Sequence, residues 1–244
     1  MGVMKYLEEK GIIINEISGT SMGAIIGASF ALGNNVETSI NLAKKFKFWK
    51  VFDLDLSLGI VKGQKAYEFL IELFGEKTFD DTIIPLKIVG TNLKTGKSEI
   101  FQTGKIVDAI RASTSLPAIF RPYEINQNMY VDGGVLCNLP VDVLEGKNKI
   151  GISVLQAGKV HLETMEKNIF GMDTKKGFLS GSYAVIDRCL SIMMELNEEN
   201  SIKKAGKHTQ ILRPHLGELD ATDFDKVDEF VRVGYDEAKK NLVL

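Results

Sequence analysis

The feature that most constrains this chain is an apolar run that stops at a G-x-S-x-G sequence and is followed at once by an apolar helical pattern. Residues 12–14 are three isoleucines, and the letters G-T-S-M-G occupy residues 19–23. A sharp turn from strand to helix holds its serine in a strained conformation and exposes the hydroxyl. We therefore predict a strand over residues 12–18, a helix over residues 24–32, and Ser21 as a candidate nucleophile between them.

The residues around Ser21 are suited to acyl transfer. Gly19 and Gly23 lack side chains at points where strand and helix would otherwise collide. A helix that begins near Met22 directs free backbone N–H groups and the positive end of its dipole at the space beside the serine hydroxyl. The Met22 N–H is thus the predicted donor to an oxyanion. The alternative is that Ser21 is only a tight-turn residue, because a G-x-S-x-G match alone has a real false-positive rate.

Length and composition predict one soluble domain. The chain has 244 residues, of which 44% are hydrophobic and 25% charged, so we expect residues 1–244 to form a single α/β domain. A net charge of -2 gives no indication of nucleic-acid binding. Cys137 and Cys189 have neither disulfide-framework nor metal-ligand spacing, which fits a reducing compartment. The sequence has neither a signal peptide nor an apolar run of about 18 residues, so the expected location is the cytoplasm.

Helical and strand patterns alternate along the chain, as in α/β proteins. A first helix ends at Gly11, and a second helix follows Asn35. Further predicted helices cover residues 66–74, 106–112, 183–199 and 224–240, with a short one from Pro140. Further predicted strands cover residues 85–93, 97–102, 123–125, 129–131, 149–154 and 209–213. Residues 51–63 are predicted as a loop and residues 156–182 as a mobile covering segment.

A basic and aromatic run, K-K-F-K-F-W-K, occupies residues 44–50. Interleaved lysines and aromatic rings suit a lipid–water interface, where the rings are buried and the ammonium groups stay hydrated. The alternative is a solvated helix end whose aromatic rings belong to the core. The first interpretation predicts peripheral contact with a membrane.

The serine requires a base, and Asp132 is the stronger candidate. It follows a predicted strand and precedes Gly133 and Gly134, whose backbone can approach a neighbouring element closely. The three histidines are His161, His208 and His215. The order of Ser21, Asp132 and one of the last two matches an α/β-hydrolase triad, and this alternative stays open. Spacing argues against it, because that fold places several strands before its serine and only 20 residues precede Ser21.

Three segments together resemble motifs of the patatin-like phospholipase family, whose members are serine acyl hydrolases with a Ser–Asp dyad. They are I-S-G-T-S-M-G-A at residues 17–24, R-A-S-T-S-L-P at residues 111–117, and Y-V-D-G-G with N-L-P at residues 130–134 and 138–140. The resemblance implies a three-layer α/β/α sandwich with a mostly parallel sheet. It also implies hydrolysis of phospholipid or lysophospholipid esters by Ser21 and Asp132, with neither metal nor organic cofactor.

One part of the family pattern is missing from the printed sequence. The family has a strand and a glycine-rich G-G-G-x-[RK]-G oxyanion loop ahead of its nucleophile, whereas residues 1–9 resemble the helix that follows that loop. We therefore expect the 244 residues to be a shortened form of an active enzyme. The alternative is a catalytically impaired patatin-like protein that binds lipid or a partner.

Overall fold

The computed structural model describes residues 1–45, 54–55, 60–155, 178–219, 223 and 225–243. The helices are α1 (Gly2–Glu9), α2 (Met22–Ala31), α3 (Val36–Lys44), α4 (Gln64–Phe74), α5 (Ile106–Ser113), α6 (Phe178–Ala205) and α7 (Val227–Asn241). The strands are β1 (Ile17–Thr20), β2 (Leu54–Asp55), β3 (Ile60–Val61), β4 (Leu86–Asn92), β5 (Lys97–Phe101), β6 (Tyr123–Ile125), β7 (Asn128–Asp132), β8 (Lys149–Ile152) and β9 (Thr209–Leu212).

Strand β4 organises the five-stranded sheet, and every one of its residues is buried. β1 pairs with its first half in parallel, while β5 and β7 pair with it in antiparallel orientation. The Ile17 N–H donates to the Pro85 carbonyl, and the Leu93 N–H donates to the Met129 carbonyl. Pro85 and Leu93 flank β4, and residues an even number apart on a strand direct their backbone groups to the same edge. β1 and β7 therefore lie end to end along one edge of β4.

Helices cover both sides of the strands. Apolar residues of α2, α4 and α5 pack against β4 in one core, which contains Ala28, Phe74, Ile88 and Ile110. A second core joins α1 and α7 to β8 and β9, and a third joins α6 to β9 and to the segment around Leu139. The α/β class and the helical layers are therefore as predicted.

The sheet is mixed and not mostly parallel. In the five-stranded sheet the pair β1–β4 is parallel, whereas β4–β5, β4–β7 and β6–β7 are antiparallel. The parallel pair β8–β9 forms a separate two-stranded sheet. Short connections allow adjacent strands to pair as hairpins, as β4–β5 and β6–β7 do.

Two local predictions are wrong in extent or type. Residues 12–16 are not a strand, because β4 begins opposite Ile17 and offers them no partner, and Ile13 is 83% exposed. Residues 140–143 form a turn and not a helix, since the Pro140 carbonyl accepts from the Ser18 hydroxyl and the Val143 carbonyl from the Lys87 ammonium.

Some predictions fall wholly or partly outside the described residues. Residues 51–63, predicted as a loop, contain the antiparallel pair β2–β3, and much of the remainder is not described. The predicted covering segment, residues 156–182, is described only from residue 178, where α6 begins. Of the basic and aromatic run, only Lys44 and Lys45 are described, and the Lys44 ammonium lies 2.7 Å from the Asp228 carboxylate. Membrane contact by this run stays a prediction.

Candidate active site

Ser21 lies between the end of β1 and the start of α2 with an unusual backbone conformation. Its φ of 54° and ψ of -122° are strained for a residue with a side chain. The Ser21 N–H donates to the Ser113 hydroxyl over 2.9 Å, and the Ser113 hydroxyl in turn donates to the Val89 carbonyl over 2.6 Å. Ser113 has no exposed surface. A buried hydroxyl thus fixes the strained residue to β4.

The two glycines that flank Ser21 differ in their surroundings. A Cβ atom on Gly19 would lie 2.4 Å from the Gly23 carbonyl oxygen and 2.7 Å from the Ala24 nitrogen, so only glycine fits. A Cβ atom on Gly23 would meet nothing within 4 Å. The predicted steric reason for glycine therefore holds at Gly19 and is wrong at Gly23.

Asp132 ends β7 and is almost fully buried, with 1% of its surface exposed. Its Oδ1 atom accepts the Gly134 N–H over 2.8 Å. Burial raises the pKa of the carboxyl from its ordinary 3.8 to about 6, and hydrogen bonding from the Ser21 side chain and the Gly134 N–H opposes that rise. The Oδ2 atom has no partner with ordinary hydrogen-bond geometry among the described residues, so the Ser21 hydroxyl approaches the carboxyl without a well-formed bond.

The register of β4 brings these two side chains together. Thr20 is opposite Val89, and Asp132 is opposite Gly90, the next residue of β4. Gly133 permits this approach, because a Cβ atom there would lie 2.2 Å from the Val89 carbonyl oxygen. Ser21 and Asp132 consequently line one cavity, of about 1800 Å³, together with the apolar side chains of Met22, Leu116 and Met194.

Helix α2 directs its first amides at the same region. The Met22 and Gly23 N–H groups donate to no group in the described part of the chain, whereas the next two N–H groups of the helix donate to the Ser21 carbonyl. Met22 is 44% exposed. The helix N-terminus therefore has two available donors and a partial positive charge beside Ser21.

The other candidate groups do not join Ser21 and Asp132. His208 and His215 are exposed, and neither is hydrogen-bonded to Ser21 or Asp132 within the described ranges. His161 lies outside those ranges. Cys137 is buried and Cys189 exposed, and both thiols are free. The described residues include no cluster of three or more His, Cys, Asp or Glu side chains that could hold a metal ion.

Ser113 and Ser115 support the site but were not singled out by sequence reasoning. The Ser115 carbonyl accepts the Asp132 N–H over 2.9 Å, and its hydroxyl accepts from the buried Arg111 guanidinium over 2.8 Å. The motif at residues 111–117 therefore fixes the backbone of both candidate catalytic residues. The resemblance of this motif to the family's loop was the one signal in the sequence that pointed to these serines. No local pattern indicated which groups Ser113 and Ser115 would hydrogen-bond.

The comparisons with known proteins agree with the motifs. The sequence pattern of the family described as patatin-like phospholipase matches residues 1–145. The chain belongs to the patatin-like phospholipase family. A solved patatin-fold structure, VipD from Legionella pneumophila, has a TM-score of 0.56 and 14% identity over 98% of this chain and 63% of VipD. That likeness concerns the fold alone.

Relatives of this patatin-like chain include much longer fungal proteins. Lysophospholipase NTE1 of Meyerozyma guilliermondii is 30% identical over 96% of this chain and 18% of its own length. Lysophospholipase nte1 of Aspergillus niger is 30% identical over 99% of this chain and 17% of its own length. An NTE family protein of Mycobacterium bovis is 33% identical over 61% of this chain and 42% of its own length. The chain thus spans less than a fifth of the fungal relatives.

Among the helices that the described residues form, none has the length and hydropathy needed to cross a bilayer.

Proposed function

We propose that this chain is a serine acyl hydrolase that cleaves ester-linked acyl chains of phospholipids or lysophospholipids, with Ser21 as nucleophile and Asp132 as base. The observation that carries the proposal is the end-to-end arrangement of β1 and β7 on β4, by which Ser21 and a buried aspartate line the same apolar cavity. The strained backbone of Ser21 supports its role as a nucleophile elbow.

The environment of Asp132 supports its role as the base. A carboxylate with a pKa of about 6 is a stronger base than an ordinary aspartate, yet it is mostly ionised at pH 7. The Gly134 N–H holds one of its oxygens, which leaves Oδ2 directed at no other partner in the described structure. The hydrogen bond between a nucleophile and its base often becomes well aligned only when a substrate binds.

The reaction follows from these positions. The Ser21 Oγ attacks the acyl carbonyl carbon while Asp132 accepts the hydroxyl proton. Collapse of the tetrahedral intermediate expels the alcohol of the lipid, which takes that proton, and leaves an acyl-serine ester. Asp132 then removes a proton from water, the hydroxide attacks the ester, and the fatty acid departs as the proton returns to Ser21.

The negative charge of the intermediate requires donors, and α2 provides them. The Met22 N–H is adjacent to the nucleophile, as in other nucleophile elbows, and the helix dipole adds to its effect. Loss of one such donor costs about 10²–10³ in rate, so the number of donors at this site determines how active the chain is.

A lipid substrate is supported by two independent features. Met22, Leu116 and Met194 line the cavity beside Ser21 and Asp132 and offer an apolar surface to an acyl chain. The fungal relatives are named lysophospholipases. We extend that substrate class to this chain, with monoacyl and diacyl phospholipids as the compounds to test.

A fluorophosphonate probe and an ester assay test this function. Wild-type protein should be labelled at Ser21 and should release fatty acid from a lysophospholipid. Ser21→Ala and Asp132→Asn should each abolish hydrolysis, and the double variant should be no worse than either single variant, because members of one catalytic unit are not additive.

His208→Ala and His215→Ala are the matched controls, and both should retain full activity. Loss of activity in either would favour the histidine triad. A wild-type protein that folds, binds lipid vesicles, and neither reacts with the probe nor releases fatty acid would replace the enzyme with a lipid-binding protein.

A further inference from the structure

The segment that follows Asp132 is fixed on one side to the nucleophile strand. The Thr20 hydroxyl donates to the Cys137 carbonyl over 2.8 Å, and the Ser18 hydroxyl donates to the Pro140 carbonyl over 2.7 Å. Both hydroxyls belong to β1, immediately before Ser21. These two bonds therefore help to set the position of the segment after Asp132 relative to the nucleophile.

Helix α6 holds the same segment from the opposite side. The Asn197 side-chain amide donates to the Val135 carbonyl over 2.5 Å. The Met194 methyl group lies close to Gly134, where an added Cβ atom would come within 2.9 Å of it. The turn that carries the Asp132 carboxylate thus lies between β1 and α6.

Glu198 is a buried carboxylate on this face of α6, with 4% of its surface exposed. Its Oε2 atom accepts from the Ser153 hydroxyl over 2.8 Å and from the Asn138 amide over 3.2 Å. Its Oε1 atom lies 2.8 Å from the Arg213 guanidinium. One side chain therefore connects α6, the end of β8, the end of β9 and the segment after Asp132.

Burial of a carboxylate is costly unless all its partners are present, so a structural contact alone could be made more stably by apolar side chains. We infer that Glu198 is a positioning residue, which acts through Asn138 to hold the Asp132 turn at the right distance from Ser21. This inference rests on the proposed function of the two catalytic residues.

The inference predicts a specific pattern across variants. Glu198→Met has a similar volume but no acceptor, whereas Glu198→Gln keeps one acceptor oxygen for Asn138. Glu198→Met should lower kcat by about 10- to 100-fold with KM within about twofold, because a small misplacement of a catalytic group slows chemistry without weakening binding. Glu198→Gln should keep kcat within about threefold of wild type, and Glu199→Gln, an exposed neighbour on the same helix, is the matched control.

Asn138→Ala is the second variant, because it leaves Glu198 paired with Ser153 and Arg213 and therefore tests the link without an unpaired buried charge. It should reproduce the loss in kcat. Adding Asn138→Ala to Glu198→Met should lower kcat no further, since both substitutions remove the same hydrogen bond between Asn138 and Glu198. A kcat within twofold of wild type in both single variants would overturn the inference, whatever their melting temperatures.

The pKa of Asp132, measured by carbon NMR titration of its carboxyl, separates this inference from the proposed function. In the described structure burial raises this pKa, and hydrogen bonds from the Ser21 side chain and the Gly134 N–H lower it. A loosened turn admits water, so Asn138→Ala should lower the pKa from about 6 towards the ordinary 3.8. If wild-type protein hydrolyses no ester, the proposed function fails while this titration still decides the inference, and an unchanged pKa overturns it.

Discussion

At the scale of single residues, Asp132 combines the properties of a base with those of a destabilising buried acid. The only polar contacts of its carboxyl in the described structure are the Gly134 N–H and the approach of the Ser21 hydroxyl. Neither contact compensates fully for burial, because the net shift of its pKa is upwards, to about 6. The same shift therefore governs both the pH dependence of catalysis and the pH dependence of folding.

The proposed mechanism requires ionised Asp132, so we predict that kcat/KM falls on the acid side with a midpoint near pH 6. Activity should be constant above pH 7 and should fall about tenfold per pH unit below pH 5. Hydrolysis of a soluble short-chain ester between pH 4.5 and 8 measures this profile, with circular dichroism at each pH to confirm that the protein stays folded. A flat profile down to pH 4.5 would exclude a base with a raised pKa.

Removal of the carboxyl charge should stabilise the protein in a pH-dependent way. The pKa of the Asp132 carboxyl is raised in the folded protein. Its burial therefore costs no stability below pH 3.8, where it is protonated, and stability is lost as the pH rises through about 6. The shift corresponds to about 3 kcal/mol at most. We predict that Asp132→Asn gains up to this amount in free energy of unfolding, relative to wild type, between pH 4 and pH 7.5.

Chemical denaturation at the two pH values measures this difference. Asp80→Asn is the control, because Asp80 is exposed and substitutions of exposed side chains usually change stability little. An Asp132→Asn effect that does not depend on pH would mean that the carboxyl has an ordinary pKa in the folded state.

At the scale of elements, the junction between β1 and α2 depends on one of its two glycines. We predict that Gly19→Ala lowers the free energy of unfolding by about 3 kcal/mol or more, because its Cβ atom would overlap rigid backbone of Gly23. Gly23→Ala should be neutral or stabilising by up to about 1 kcal/mol, because its Cβ atom has open space and alanine favours helix. Thermal denaturation of the pair checks this, and equal destabilisation would contradict the junction geometry.

The elements were predictable where their signal is local, and the site was predictable only in part. Gly11 and Gly33 have positive φ and end their helices, as their positions in the sequence predict. The strand predicted over residues 12–18 is absent at residues 12–16, because pairing depends on where β4 begins, about 70 residues away in sequence. Ser21 and Asp132 follow from motifs, whereas the bonds of Ser113 and Glu198 follow from tertiary packing that no local pattern encodes.

At the scale of the whole molecule, two strand edges face one cavity without a partner in the described structure. The Ile17 N–H is bonded to Pro85, so the backbone groups of Ser18 and Thr20 are directed away from β4. In β8 the Lys149 N–H donates to the carbonyl of His208, the residue before β9, so the backbone groups of Ile150 and Ile152 are directed away from β9. All four residues line the cavity of about 1800 Å³, and unpaired strand edges beside an apolar cavity are unfavourable.

These edges predict that a further strand would fit between β1 and β8. The Ser18 and Thr20 amides are directed away from β4, whereas the Gly19 amide is directed at it. We therefore expect the Ser18 and Thr20 amides to exchange with solvent faster than the Gly19 amide, because a strand amide without a partner opens at little cost. Hydrogen exchange of the 244-residue protein measures this difference. Equal protection of all three amides would mean that the outer edge of β1 is paired, and would contradict the prediction.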